Sequence, residues 1–121
     1  MTLARQLLGK EAEALAEQHL VQSGLRITHR RYRNRFGEID LIARDGEVTV
    51  FVEVKAKRDY RQGSPEEMVH AVKQRKLIGA IRWFLMEVGR EIPVRVDVIA
   101  VDYSQGKTVI RHHRHAFEIT F

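Results

Sequence analysis

The chain of 121 residues contains no cysteine. This absence excludes a disulfide framework, a thiol nucleophile, a thiolate zinc site and an iron–sulfur cluster, and it fits a reducing compartment. No apolar run approaches the roughly 20 residues that span a bilayer, and residues 1–9 lack the long apolar stretch of a signal peptide. We therefore expect a soluble, cytoplasmic protein that does not engage a membrane.

Proline and glycine are also scarce, at 2 and 8 residues. The sequence shows no low-complexity stretch, no internal repeat and no linker-like segment. Because 44% of the residues are hydrophobic, the chain is long enough to bury one core but too short for two. We expect a single domain that spans residues 1–121.

Acidic residues are the minority among the charged ones. Lys and Arg total 21 and Asp and Glu total 16, so the formal net charge is +5, and fifteen of the basic residues are arginine. The planar guanidinium group matches the geometry of phosphate oxygens. This balance favours a polyanionic partner such as nucleic acid.

The first third of the chain predicts one helix, one strand and a basic loop. Apolar residues recur at helical spacing from about Leu3 to Ser23, and Gly24 stands where a helix would end. Residues 25–35 carry five arginines and no acidic residue, and we interpret them as a strand and a basic loop. The apolar stripe of the helix consists of Leu8, Ala12, Leu15, Ala16 and Leu20.

The remaining elements predict an α/β domain with a mixed β-sheet flanked by helices. A helix should begin at Ser64-Pro65-Glu66-Glu67, which is a capping box, and end near Val88 before Gly89. β-branched and aromatic residues predict strands at 39–43, 48–54 and 94–101, with shorter ones at 109–112 and 116–119.

The strands at 39–43 and 48–54 should form a hairpin that brings three charged side chains together. With Asp45-Gly46 as a two-residue turn, Asp40 lies opposite Phe51. Because directly opposed residues share a face, Asp40, Glu53 and Lys55 then converge, with Asp40 diagonal to Glu53. A slip of one residue would scatter them.

Two carboxylates on otherwise apolar strands suit a divalent cation. Carboxylate oxygens are ligands for Mg²⁺ or Mn²⁺, and the cation would neutralise their mutual repulsion. Lys55 would then position or deprotonate a water that attacks phosphorus. The alternative is a solvated strand face with an ordinary Glu53–Lys55 ion pair.

These residues resemble a known family. An acidic residue on one strand followed by Glu-x-Lys on the next looks like the PD-(D/E)xK core of type II restriction enzymes and Holliday junction resolvases. More closely, the sequence resembles the bacterial YraN family over nearly its whole length. The likeness is carried by Gly9 with Glu13, by Gly24, by Gly37-Glu38-Ile39-Asp40-Leu41-Ile42-Ala43, by Phe51-Val52-Glu53-Val54-Lys55, by Lys73-Gln74 with Lys76-Leu77, by Arg95-Val96-Asp97-Val98 and by Ala116-Phe117.

The resemblance implies a restriction-endonuclease-like fold and a metal-dependent nuclease. Asp40 and Glu53 would be the metal ligands, and Lys55 would be the catalytic lysine. Helical geometry leaves Glu11 and Glu13 at equal angles from the apolar stripe, so it does not choose between them. The resemblance favours Glu13 as a catalytic carboxylate and third ligand, although Ile39 stands where the motif has proline.

Basic residues near this constellation are candidates for phosphate contacts that are independent of sequence. The alternatives are a solvated strand edge that discourages strand pairing, for the arginines, and a solvated helix face, for Lys76 and its neighbours. Tyr32 and Tyr60 lie among basic residues and are candidates for stacking on bases. The candidate nucleic-acid contacts are Arg26, Arg30, Arg31, Arg33 and Arg35, then Lys57, Arg58 and Arg61, and, by resemblance, Gln74 and Lys76.

Two other features are interpreted as structural or surface features and not as functional sites. The His112-His113-Arg114-His115 run cannot place three histidines on one ion from an extended segment, so it predicts basic surface and not a metal site. Asp97, alone on an apolar strand, predicts a structural ion pair with Arg95 or a helix residue.

The sequence therefore predicts a small Mg- or Mn-dependent endonuclease that acts on DNA in preference to RNA, including branched or flapped DNA. Two alternatives stay open: a non-catalytic nucleic-acid-binding accessory module of recombination or repair, and an interaction protein whose charge serves solubility. Resolvases of similar fold work as dimers because they cut two strands, and by this analogy we expect a homodimer.

Overall fold

A computed structural model describes residues 3–58 and 71–119, apart from the side chains of residues 4–6 and 71–74. Five strands form one sheet in the order β1-β2-β3-β4-β5. Neighbouring strands are antiparallel except for β3 and β4, which are parallel. The elements are α1 Leu3–Gln22, β1 Arg26–Asn34, β2 Gly37–Asp45, β3 Val48–Lys57, α2 Ala71–Val88, β4 Val94–Asp102 and β5 Val109–His113.

The two helices cover opposite faces of the sheet. On one face, the apolar stripe of α1 is buried through Ala12, Ala16 and Leu20 against alternate residues of β3 such as Val52 and Val54. On the other face, α2 buries its own apolar residues against Phe51 and its neighbours. Since successive strand residues point to opposite faces, β3 contributes to both apolar clusters.

Helix α2 makes the crossover that a parallel strand pair requires between β3 and β4. It runs without a break through residues 73–76, where the polar sequence suggested one, and it ends before Gly89 as predicted. The capping box at Ser64-Pro65-Glu66-Glu67 lies outside the described residues.

The β2–β3 hairpin is confirmed, but its predicted register is wrong by two residues. Asp45 pairs with Val48 and Leu41 pairs with Val52, so the turn residues are Gly46 and Glu47. Gly46 has a φ of +60°, a conformation that glycine adopts without strain at the first central position of a tight turn. A shift of two residues preserves the face of every side chain, because strand periodicity is two.

Two further predictions are corrected at the ends of the sheet. Residues 26–34 form a strand throughout, with a bulge between Ile27 and His29, so the basic loop does not exist as such. Residues 116–119 form no strand. Phe117 and Ile119 instead pack on the α2 side of the core, and the Ala116 N–H donates to the Val96 carbonyl at 2.7 Å.

Two helices on the two faces of a five-stranded mixed sheet form an α/β arrangement. This architecture is consistent with the restriction-endonuclease-like fold that the sequence resemblance implies. Neither of the described helices is long and apolar enough to cross a bilayer.

Candidate active site

Strands β2 and β3 separate at one end of the sheet. Their pairing stops at Leu41 and Val52. Beyond that point β2 stays paired with β1 as far as Gly37, and β3 stays paired with β4 as far as Lys57. The opening between residues 37–40 of β2 and 53–57 of β3 is called the fork below, and it contains the predicted catalytic residues.

Asp40 lies at the point where the strands part. Its Oδ2 accepts a hydrogen bond from the Val54 N–H at 2.8 Å. The side chain thus takes the place that a β2 carbonyl would have in a continuing ladder. Because Val54 stands between Glu53 and Lys55, this bond fixes the Asp40 carboxylate beside the Glu-x-Lys segment.

Glu53 and Lys55 share the sheet face that carries α2. Phe51 packs in the α2 cluster while Val52 and Val54 pack in the α1 cluster, and strand alternation puts Glu53 and Lys55 with Phe51. Glu53 is 2% exposed. Lys55 Nζ lies 3.6 Å from Glu53 Oε1, and the Lys55 side chain is 18% exposed. The fork therefore contains a buried carboxylate, Glu53, and the ammonium group of Lys55, which extends toward solvent.

Glu13 lies on the flank of α1 that contacts β1. Its Oε2 accepts a hydrogen bond from Arg31 Nε at 2.9 Å, whereas Glu11 lies near Tyr103. The hydrogen bond and charge of Glu13 raise the pKa of Arg31, and the charge of Asp40 adds to the effect. Arg31 has a φ of 49°, a left-handed conformation that is uncommon outside glycine. The charges of both Glu13 and Asp40 therefore act on Arg31.

The predicted three-ligand set is not assembled in this arrangement. Among residues 3–58 and 71–119, no three carboxylate or imidazole side chains are grouped so that they could hold one metal ion. Glu13 is engaged by Arg31 instead. Asp40 and Glu53 still offer the oxygen donors that Mg²⁺ and Mn²⁺ prefer, so the two strand carboxylates fit a divalent cation and Glu13 would have to leave Arg31 to join them.

The arginines of residues 26–35 fall into two groups. Arg30 forms an ion pair with Glu17 of α1, and Arg33 lies 3.3 Å from Glu38. Together with Arg31, these side chains are already bound to carboxylates. Arg26 and Arg35 make no ion pair with a carboxylate in the described part of the chain. Of the five arginines in residues 26–35, only these two have a guanidinium group that is not already paired with a carboxylate of the described residues.

The other predicted contacts lie around the same end of the sheet. Lys57 ends β3 partly buried, and Arg58 follows it, exposed, in a cavity of about 300 Å³ that Glu11 and Tyr103 also line. Burial raises the pKa of Tyr103 to about 12, with the negative charge of Glu11 adding to the effect. Lys76 is exposed on α2.

Three of the sequence candidates cannot be placed in full. Gln74 belongs to α2, but its side chain lies outside the description. Tyr60 and Arg61 also fall outside the described ranges. Tyr32 is placed, and it is part of an internal aromatic cluster with its ring 5.4 Å from Phe84 and 5.7 Å from His29. Tyr32 is therefore a packing residue and not a surface for bases.

The sequence did not reveal a buried network of polar side chains on the face of the sheet that α1 covers. Asp97 is fully buried and accepts hydrogen bonds from Arg95 Nε at 3.0 Å, His112 Nε2 at 2.7 Å and the His115 N–H at 3.0 Å. The predicted ion pair with Arg95 is confirmed. His112, predicted as basic surface, is instead 7% exposed, and its Nδ1 lies 3.1 Å from His19 Nε2.

These hydrogen-bonded side chains also connect separate elements of the fold. Arg95 reaches from β4 to Asp45 of β2 at 2.7 Å, and His19 belongs to the last turn of α1. Burial alone would raise the pKa of Asp97, but the hydrogen bonds from His112, Arg95 and His115 hold it below the usual value. Only a strand register that places Ile99 opposite His112 could have indicated this cluster in advance.

Comparison with known proteins identifies relatives over almost the whole chain. The model of the family described as "Uncharacterised protein family UPF0102" matches residues 12–101. A UPF0102 protein of Anaeromyxobacter dehalogenans is 45% identical over 115 residues, which cover 94% of this chain and 86% of that protein. A UPF0102 protein of Desulforapulum autotrophicum is 43% identical over 115 residues, or 94% and 95% of the two chains. The chain belongs to the UPF0102 family, also called YraN.

Proposed function

We propose that this protein is a metal-dependent phosphodiesterase that cleaves DNA at the fork. The observation that carries the proposal is the separation of β2 and β3, where the Asp40 carboxylate accepts the Val54 N–H and lies beside buried Glu53 and its partner Lys55. An open strand end with two carboxylates and one lysine is the arrangement expected for a cation-assisted attack on a phosphodiester. The basic side chains nearby supply affinity for the backbone.

Asp40 and Glu53 would hold the Mg²⁺ or Mn²⁺. When bound, the cation stabilises negative charge that develops on the phosphate oxygens. Lys55 reaches partly into solvent, so its ammonium would orient the attacking water toward phosphorus. Arg31 is bound to Glu13 and is also attracted by the charge of Asp40, so it would link the two carboxylates electrostatically.

One observation favours a second candidate. Glu13 is engaged by Arg31, and within the described ranges it joins no ligand cluster with Asp40 and Glu53. A protein that keeps this arrangement when nucleic acid binds would be a non-catalytic accessory module of recombination or repair. The two candidates differ in turnover and not in the surface that they present.

The test separates metal binding from cleavage. We expect wild-type protein to bind Mn²⁺ in calorimetry and to cut at least one DNA in a labelled panel of linear, flapped and four-way substrates. Glu53→Ala should lose both properties, because it removes a ligand. Lys55→Ala should keep Mn²⁺ binding and lose cleavage by about 10²-fold or more, because the attacking water loses the group that orients it.

Exposed residues of the same types provide matched controls. Glu91→Ala and Lys107→Ala should leave both measurements unchanged, because both side chains are exposed outside the fork. In metal-free buffer, Glu53→Ala should bind DNA more tightly than wild type, since a carboxylate repels the phosphate. Wild type that binds Mn²⁺ and DNA but cuts no substrate would support the accessory module. Wild type without Mn²⁺ binding would contradict the proposal.

A further inference from the structure

An aromatic pair lies at the turn between β1 and β2. Phe36 is 48% exposed, and it is the one exposed Phe, Tyr or Trp among the side chains that the structure describes. Its ring centroid lies 5.5 Å from that of Trp83 on α2, at an interplanar angle of 49°. The Arg35 guanidinium lies 5.5 Å from the Phe36 centroid. An exposed aromatic ring beside a guanidinium group offers a face on which a planar group can stack.

The turn that presents Phe36 is fixed to α2. The Asn34 side chain accepts a hydrogen bond from the Phe36 N–H at 3.0 Å and donates one to the Ala80 carbonyl at 3.0 Å. Phe36 Cβ also packs so closely on Gly79 that an added Cβ there would lie 3.3 Å away. The aromatic surface is therefore held in place before any ligand arrives, which lowers the entropic cost of binding.

The pair lies at the same end of the sheet as the fork. Phe36 directly precedes Gly37, the first residue of β2, and Asp40 follows three residues later. At a strand rise of about 3.4 Å per residue, the distance from Gly37 to Asp40 along β2 is about 10 Å. Successive stacked nucleotides of one strand are spaced by about 3.4 Å, so a base on the pair lies within a few nucleotides of the fork.

The charge around the pair complements a phosphate backbone. Residues 33–38 and 75–83 contain one acidic residue, Glu38, and it is paired with Arg33. A basic partner surface is poorly suited to this setting, whereas a polyanion gains affinity from it. The basic residues of the two segments are Arg33, Arg35, Arg75, Lys76 and Arg82.

We propose that Phe36 and Trp83, with Arg35, form a stacking site for an unpaired base of the nucleic acid whose backbone reaches the fork. The inference rests on the proposed function in taking nucleic acid as the ligand. Stacking on an aromatic face tolerates every base, so the site selects unpaired strands and not a sequence. It gives the phosphodiesterase a preference for flaps, branches or frayed ends over continuous duplex.

Trp83 is the only tryptophan of the chain, so its fluorescence reports on the site directly. Binding is measured in EDTA, where cleavage does not occur, with three DNAs: a blunt duplex, the same duplex with a short single-stranded flap, and the same flap built from abasic sugars. We expect the ordinary flap to quench Trp83 emission and to bind more tightly than the other two. The abasic flap keeps the phosphates, so it isolates the contribution of the bases.

Variants test the second ring of the pair. Phe36→Ala and Phe36→Leu should weaken binding of the ordinary flap by about 5- to 100-fold and leave the abasic flap unchanged, because the lost interaction is base stacking. Met86→Ala removes an exposed apolar residue of α2, the helix that carries Trp83. It should change the binding of neither the ordinary flap nor the abasic flap. Circular dichroism checks that each variant folds, and the abasic comparison on wild type needs no variant.

Equal quenching by ordinary and abasic flaps, or no quenching, overturns the stacking site. A Trp83 signal that depends on protein concentration and ignores DNA also overturns it, since a second copy of the chain then covers the pair. Failure of the proposed function is distinguishable. Base-dependent quenching without cleavage in Mn²⁺ keeps the stacking site and removes the phosphodiesterase, and cleavage without such quenching does the reverse.

Discussion

At the scale of single residues, Asp97 shows how the fold retains a buried charge. The carboxylate is fully buried but accepts three hydrogen bonds. Two of the donors are the side chains of Arg95 and His112, and the third is the His115 N–H. A buried carboxylate is tolerated when its partners compensate the loss of hydration. Asp97 thereby connects β4 to β5 and, through His112 and His19, to α1.

Asp97→Asn should lower the free energy of unfolding by about 3 kcal/mol at pH 7, because Arg95 and His112 lose a charged acceptor. The folded-state pKa of Asp97 lies below its usual value, so the charge stabilises the protein above about pH 4 and less as pH falls. The difference between wild type and variant should therefore shrink at pH 3. Urea unfolding at both pH values measures it. An equal difference at both would contradict this account.

His19 should make the stability of the protein depend on pH in a higher pH range than Asp97 does. Burial lowers the pKa of His19, and the positive charges of His112 and Arg114 lower it further. The folded protein disfavours the protonated form, so its stability should fall as pH drops below about 6.5, the ordinary value for histidine. His19→Gln should lose less stability than wild type between pH 7.5 and pH 5.5. Parallel curves for the two proteins would show that His19 does not carry the effect.

At the scale of elements, the approach of β2 to α2 decides the shape of the fork. Gly37 begins β2 against the backbone of α2, where an added Cβ would lie 2.9 Å from the Lys76 carbonyl oxygen. A backbone atom cannot move aside as a flexible side chain does. The strand end and the helix therefore keep their distance only while residue 37 has no side chain.

Gly37→Ala should lower the free energy of unfolding by about 1 to 3 kcal/mol, because the helix and the strand must separate. Gly9→Ala is the matched control. It lies in the interior of α1 with nothing within 4 Å of an added Cβ, so it should stabilise the protein by about 0.5 to 1 kcal/mol through helix propensity. Thermal unfolding measures both, and a neutral Gly37→Ala would show that the contact is looser than described.

At the scale of the whole molecule, the net charge of +5 does not act uniformly. Arg30, Arg31 and Arg33 are paired with carboxylates of the chain itself. An internal pair presents little net charge to a polyanion, whereas Arg35 interacts with an aromatic ring and keeps its charge. The field toward nucleic acid should therefore come from a few arginines and not from the count of basic residues.

Arg35→Gln should reduce the slope of log affinity against log salt by about 0.9, the value for one lost phosphate contact on duplex DNA. Arg30→Gln should reduce it by less, because Arg30 is already bound to Glu17. Anisotropy titrations of one labelled duplex over a range of KCl concentrations give both slopes. Equal reductions would mean that the ion pair opens when DNA binds.

The sequence by itself determined the two helices with their C-terminal ends, the strands β2 to β5, and the sharing of a face by Glu53 and Lys55. These features depend on local periodicity and on neighbours in the chain, so they survive errors of register. The hairpin shows this: its turn is displaced by one residue and its strand pairing by two, yet Glu53 and Lys55 share a face as predicted, because the period of a strand is two.

Only the tertiary structure decided the partners of the charges. Arg31 meets Glu13, and His112 meets Asp97 and His19, across sequence separations of 15 to 93 residues. Which residues meet at such separations depends on how α1 lies across the sheet and where β2 and β3 part. No local pattern encodes that placement, because each of these side chains is equally compatible with solvent until the packing of the helix removes the water.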